Sequence, residues 1–339
     1  METLWFTYYL PLIWAALIGV AVVLYVLLDG FDLGMGILFP FTKDEAERDQ
    51  MMSSVAPFWD GNETWLVLGG GGLWVAFPQA FAIIMPSVYL PIIFMLLALV
   101  FRGVAFEFRF VSKPNHRKWD VAFALGSTVA AFCQGIVLGA IVYGVPVEDG
   151  QFSGGSFTWF HPFALLCGVG LVAGYALLGS GWLMMRTEGE LAAKAKRWGR
   201  PLVIALLAFI VAVSVWTPLA IPPIADRWFR LPEFLYLLPV PLLTAGFAWL
   251  AIRGVEKGKG PQTFLSTVAL FVLCFAGLAI STFPYLVPRS VTLWEAAAAP
   301  ESQLFLLLGA VPMVPIILIY TGFVYWTFRG TLKPGEGYH

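Results

Sequence analysis

Apolar residues arrive in this chain in uninterrupted blocks such as Leu10 to Leu28 and Pro201 to Ile221. At about 1.5 Å of rise per residue each block is long enough to cross the roughly 30 Å of hydrocarbon in a bilayer. A water-soluble chain needs polar side chains to cover its surface. Here 59% of the 339 residues are apolar and 12% are charged, about half the charged share of an ordinary soluble domain. The solvent is therefore a bilayer, and a soluble enzyme is excluded. Blocks of sufficient length begin near Tyr9, Val55, Gln79, Val121, Pro162, Pro201, Leu235, Phe264 and Gln303. They predict an all-α integral membrane protein with nine transmembrane helices. The second and third blocks are nearly continuous from Trp65 to Phe101, and only Phe77-Pro78-Gln79 marks a hairpin between them.

Basic residues test that count, because short cytoplasmic connections hold the excess of Lys and Arg. Taken alternately, one set of connections carries Lys43 and Arg48; Arg102, Arg109, Lys113, Arg117 and Lys118; Arg186, Lys194, Lys196, Arg197 and Arg200; Arg253, Lys257 and Lys259; and Arg329 and Lys333. The other set has only Arg227, Arg230 and Arg289, a partition of 17 to 3. This places the amino terminus outside and the carboxyl terminus in the cytoplasm. The opening METLWFTYYL has no positive n-region, so the first block is expected to stay as a membrane helix. No connection is long enough for a soluble domain, which leaves residues 1–339 as a single polytopic membrane domain. The net charge of −1 gives no field to attract nucleic acid.

Gly30 and Gly34, Gly135 and Gly139, and Gly170 and Gly174 are spaced to let helix backbones approach closely in lipid. The four successive glycines Gly69 to Gly72 permit either a close helix crossing or room for a lipid tail, a quinone or a partner helix. Cys133, Cys167 and Cys274 stand singly inside apolar blocks and read as small hydrophobes. His116, His161 and His339 all lie outside the depths of the blocks. Haem most often takes an axial His, so no haem or metal site is expected in this chain. Nucleotide-binding loops and a Ser-His-Asp arrangement are absent as well.

Function is concentrated in the acids inside the blocks, where each is costly and faces protein or water. Asp29 and Asp32 are three apart and share a helix face, and Asp60 and Glu63 repeat the spacing within Trp59-Asp60-Gly61-Asn62-Glu63-Thr64-Trp65. Counting inward from Tyr9 places Asp29 about 30 Å along the first helix, and counting from Val55 places Asp60 about 8 Å into the second. Both then fall toward the cytoplasmic side and can share one site. Two readings stand for these acids: proton-active groups, or capping and hydrogen-bonded groups that hold helices together. Arg102 is either their counter-ion or, with Arg109, a residue snorkelling to the interface, and Glu107 is expected to pair locally.

The runs Asp29 to Gly34, Pro57 to Trp65, Arg102 to Arg109, Phe283 to Pro288 and Tyr320 to Arg329 resemble subunit II of the cytochrome bd-type terminal quinol oxidases, including their cyanide-insensitive branch. The resemblance spans essentially the whole chain. It implies a nine-helix partner, in a bacterial cytoplasmic membrane, of a haem-bearing subunit I that holds haems b and d and the sites for quinol and O2. It also allows a small single-helix accessory subunit and a bound quinone or lipid. Asp60 and Asp29 are implied on a cytoplasmic proton-entry path that makes oxygen reduction electrogenic without pumping. Glu63, where members of the family have Gln, adds an auxiliary protonatable group. A purely structural assembly subunit is the alternative. A proton or cation transporter is a weaker one, since no inverted repeat is evident.

Overall fold

The computed structural model describes residues 2–112 and 116–332; Lys113, Asn115, Lys333 and His339 lie outside the described residues. Twelve α-helices are formed there: α1 Glu2–Leu38, α2 Glu45–Val55, α3 Trp59–Ala76, α4 Pro78–Val111, α5 Arg117–Tyr143, α6 Pro162–Arg186, α7 Gly189–Ala220, α8 Pro222–Phe229, α9 Glu233–Leu237, α10 Pro239–Lys257, α11 Gly260–Thr282 and α12 Pro300–Thr327. Among the described residues eight helices are long and apolar enough to cross a membrane: α1, α4, α5, α6, α7, the α9–α10 segment, α11 and α12. The expected second span, α3, is 18 residues long with Asp60 and Glu63 near its start and is not one of the eight. Its hairpin with α4 falls where Phe77-Pro78 predicts, because Pro78 opens α4 without a backbone N–H to lose.

The second block starts later than expected. Residues 45–55 form α2, a polar helix capped by Asp44, whose side chain accepts from Ala46 N and Glu47 N, and whose last six residues are all buried. Pro57 separates it from α3, which begins at Trp59, so Asp60 sits in the first turn of α3 and not about 8 Å along a helix from Val55. In α1 the shift is opposite. The helix continues nine residues past Asp29 to Leu38, about 14 Å, so the acid lies well inside it. Arg102 lies nine residues before the end of α4 at Val111, at a matching depth.

α1 packs between α3, α5 and α6, and α4 and α7 flank the α5–α6 pair. The predicted glycine contacts are made. At Gly34 a Cβ would run into the Tyr175 carbonyl and the backbone of Gly179, so α1 and α6 touch main chain to main chain. The glycine run on α3 divides by face: Gly69 and Gly72 lie on Val22 and Ile18 of α1, whereas Gly70 and Gly71 meet nothing within 4 Å.

Long-range bonds sort the helix ends into two groups. At one end Leu332 N donates to Arg186 O and Gln50 Nε2 to Leu332 O, and Lys194 Nζ donates to Glu47 at 2.7 Å. Arg109 and Arg48 clamp Asp120 there, at 2.6 and 3.0 Å, and Arg109 also binds Asp49. At the other end two small hairpins lie, β1 Val147–Glu148 with β2 Gln151–Phe152, and β3 Tyr285–Val287 with β4 Val291–Thr292. Trp294 Nε1 donates there to Tyr8 O and Ala298 N to Ala76 O. The Glu295 carboxyl, outside the helices, is held below the usual range by the N–H and hydroxyl of Thr292. The basic-rich connections meet at the first end, and Arg227, Arg230 and Arg289 belong to the second.

Candidate functional site

Where α1, α3 and α4 meet, one guanidinium collects three carboxylates. Arg102 Nη2 donates to Asp29 Oδ1 at 2.9 Å and lies 3.9 Å from Asp32 Oδ2, and Nη1 is 3.5 Å from Glu63 Oε2. The Arg102 side chain is 0% exposed, those of Asp29 and Asp32 1% and 0%, and that of Glu63 28%. Arg102 therefore does not snorkel. Its charge lies over the rings of Trp59 and Phe106, each 5.5 Å from the guanidinium carbon, and these two rings stack on each other. Arg109, the other candidate for snorkelling, is also buried in the Asp49–Asp120 clamp, while Glu107 is exposed.

Local geometry decides which acids join. Asp29 and Asp32 are one turn apart on α1 and face the same way, as their spacing predicts. On α3 the buried residues are Asn62, Trp65, Gly69, Gly72 and Ala76, a stripe that turns Glu63 to its edge. Asp60 lies two residues before Asn62, about 160° away around a helix of 3.6 residues per turn. It is exposed and stands one turn from Glu63, within Coulombic reach of it. The structure thus brings Asp29, Asp32 and Glu63 together on Arg102 and leaves Asp60 outside that contact, next to Glu63.

Asn62 and Tyr325 complete the cluster. Asn62 Nδ2 donates to Asp32 Oδ2 at 2.6 Å and to Leu28 O at 3.2 Å, and its Oδ1 accepts from the Tyr325 hydroxyl at 2.9 Å. Tyr325, from α12, is held there by stacking on Phe58 with ring centroids 4.5 Å apart, in an aromatic group with Phe31 and Trp182. The cluster is not saturated. Asp29 Oδ2, Asp32 Oδ1, Arg102 Nε and Trp65 Nε1 are buried without a hydrogen-bond partner. With every acid ionised, three negative charges face one positive charge, and the unpartnered polar atoms are free to bind water.

Among the described residues no group of three or more His, Cys, Asp or Glu side chains is arranged to hold a metal ion. His116 Nε2 lies 3.5 Å from Glu45, and His161 accepts from Phe163 N and stacks on Tyr143.

A helical, multi-pass membrane protein with a charge cluster buried near one end of its bundle is the class these features define. A family model described as cytochrome bd terminal oxidase subunit II matches residues 10–328, and the chain belongs to that family. Cytochrome bd-I ubiquinol oxidase subunit 2 of Escherichia coli K12 is 30% identical over 369 aligned positions, covering 95% of each chain. Cytochrome bd ubiquinol oxidase subunit 2 of Bacillus subtilis is 28% identical over 340 positions, covering 96% of this chain and 97% of its own. In the solved bd oxidase of Geobacillus thermodenitrificans one chain shares the fold with a TM-score of 0.77, at 13% identity, over 94% of this chain and 98% of that one. The chain is thus a subunit of a cytochrome bd quinol oxidase, an oxidoreductase complex whose subunit II implies a subunit I.

Proposed function

We propose that this chain supports a haem-bearing subunit I and carries cytoplasmic protons toward it for the reduction of O2 to water. The observation that carries this reading is a graded line of acids. Asp60 is exposed, Glu63 is 28% exposed, and Asp29 and Asp32 are buried around Arg102. A purely structural subunit needs its acids only to match its bases, as the two arginines and two aspartates of the Arg48–Arg109–Asp49–Asp120 clamp do. The surplus of carboxylates on Arg102 favours conduction.

In this reading α3 is the ninth crossing, the amino terminus is outside, and the basic-rich end faces the cytoplasm of a bacterial cell. The whole chain is one polytopic domain. Haems b and d, quinol and O2 belong to subunit I, which seats on the exposed apolar faces of this chain in a heterodimer. The open side of Gly70 and Gly71 leaves space for a lipid, a quinone or a helix, such as that of a small accessory subunit. Electrons and scalar protons come from quinol oxidised on the outer side, while the protons that make water enter through this chain from the inner side. Charge therefore crosses the membrane without a pump.

Two measurements test this. Reporter fusions are expected to place Lys196 in the cytoplasm and Gln151 and Arg289 outside; Lys196 and Gln151 on one side would overturn the orientation. In vesicles containing the assembled oxidase, turnover is expected to build a membrane potential and to take up protons from the side that carries Lys196. Electroneutral turnover, or uptake from the Gln151 side, rejects the conduction role.

A further inference from the structure

Asp29 and Asp32 are hydrogen-bonded differently, and the difference runs through three side chains outside the acid cluster. Gln134, on α5, lies between two buried tyrosines: its Nε2 donates to the Tyr25 hydroxyl at 2.7 Å, and its Oε1 accepts from the Tyr175 hydroxyl at 2.7 Å. A phenol has one proton. Because the Tyr25 oxygen already accepts from the amide, its own proton is free for another acceptor, and Asp29, whose Oδ2 is buried without a partner, lies one turn further along the same face of α1. The chain has a polarity, Tyr175 to Gln134 to Tyr25, with each donor aimed along it and Asp29 one helical turn beyond its end. Such chains strengthen cooperatively and favour negative charge at the accepting end. Asp29 also takes the direct 2.9 Å bond from Arg102.

Asp32 is served otherwise. Arg102 Nη2 is 3.9 Å away, beyond hydrogen-bond distance. Among the described residues the one hydrogen-bond donor to Asp32 is the neutral amide of Asn62, and Asp32 Oδ1 is buried without a partner. One guanidinium compensates one carboxylate, and a second carboxylate buried beside the first is costly as an anion.

We infer that Asp29 is the fixed anion of the cluster, locked onto Arg102 by the Tyr175–Gln134–Tyr25 chain, and that Asp32 is the acid that takes up and releases the proton in transit. Asn62 and Tyr325 are its positioning residues: the amide occupies Oδ2, so the travelling proton sits on Oδ1. The step is proton transfer alone. Oδ1 gains a proton from the Glu63 side and yields it to water or to an acceptor on the partner subunit, and no electron moves. This rests on the reading that the cluster conducts.

The test is infrared difference spectroscopy of the assembled oxidase between its reduced and oxidised states, read in the deuterium-sensitive C=O stretch of protonated carboxyls. The expected result is loss of one such band in Asp32→Asn and its retention in Asp29→Asn. The reverse pattern overturns the division of roles while leaving conduction intact. A spectrum identical to wild type in both variants, with unchanged turnover and charge translocation, removes the conduction reading itself. Tyr25→Phe and Gln134→Leu bear on the same point without touching an acid. Breaking the donor chain is expected to let Asp29 compete for the proton, adding a second carboxyl component and displacing the pH profile of turnover at unchanged haem content. Wild-type bands and profile in both variants overturn the anchoring chain.

Discussion

Replacing Arg102 by Leu is expected to deprive the cell of assembled oxidase. The substitution leaves Asp29 and Asp32 buried with no compensating charge. It also removes the cation lying over Trp59 and Phe106. Breaking a buried pair from one side costs about 3–5 kcal/mol, a large share of the roughly 5–15 kcal/mol that holds a typical protein folded. The three helices that meet at the cluster, α1, α3 and α4, contribute much of the internal packing, so the loss falls on the whole bundle. Thermal stability of the purified complex in detergent, and its haem content per chain, are the measurements. The double variant Arg102→Leu with Asp29→Asn is expected to recover part of the loss, because the worst uncompensated charge goes with it; that recovery is the sign of a true interaction energy. An Arg102→Leu complex as stable as wild type would mean that the acids find compensation elsewhere.

The parts of this site that were legible in the sequence are those set by helical periodicity. Asp29 and Asp32 share a face because three residues separate them, and glycine pairs at four-residue spacing make the α1–α6 and α5–α6 contacts. The rotation of α3 was not legible. It depends on where the helix begins, and Pro57 and the preceding α2 move that start from Val55 to Trp59. This turns Asp60 outward, brings Glu63 to the edge of the cluster and points Asn62 at Asp32. Short polar α2 gave no hydropathy signal, although its last six residues are buried. Tyr325 is 263 residues from the Asn62 it binds, a separation no local pattern spans. Gln134 was equally silent: one amide in an apolar helix has no period, and its role exists only because α1 and α6 bring a tyrosine to each side of it. The charge of Arg102 was visible, but position alone did not distinguish a counter-ion from a snorkelling residue. Burial at 0% did.

Removing both outer carboxylates is expected to slow oxygen consumption of a fully assembled oxidase by about a hundredfold, the low end of what a positioned acid–base group contributes. Asp60 and Glu63 stand one turn apart on α3, the first exposed and the second within 3.5 Å of Arg102. A proton arriving at either can reach the buried pair, so Asp60→Asn and Glu63→Gln alone are each expected to lower turnover only in part. Both replacements keep size and hydrogen bonding and remove only the group that can carry a proton. Asp60→Glu is expected to retain most activity, since it restores a carboxyl one methylene further out on an exposed position. Scaffolding makes a different demand. The contact of Glu63 with Arg102 is long and partly exposed, worth little as an ion pair, and Asp60 makes no side-chain ion pair among the described residues, so their loss should leave the bundle and its haem content intact. Normal turnover and normal charge translocation in such an intact double variant would assign both acids to the surface of the bundle and leave Arg102 with its two inner aspartates as a purely structural knot.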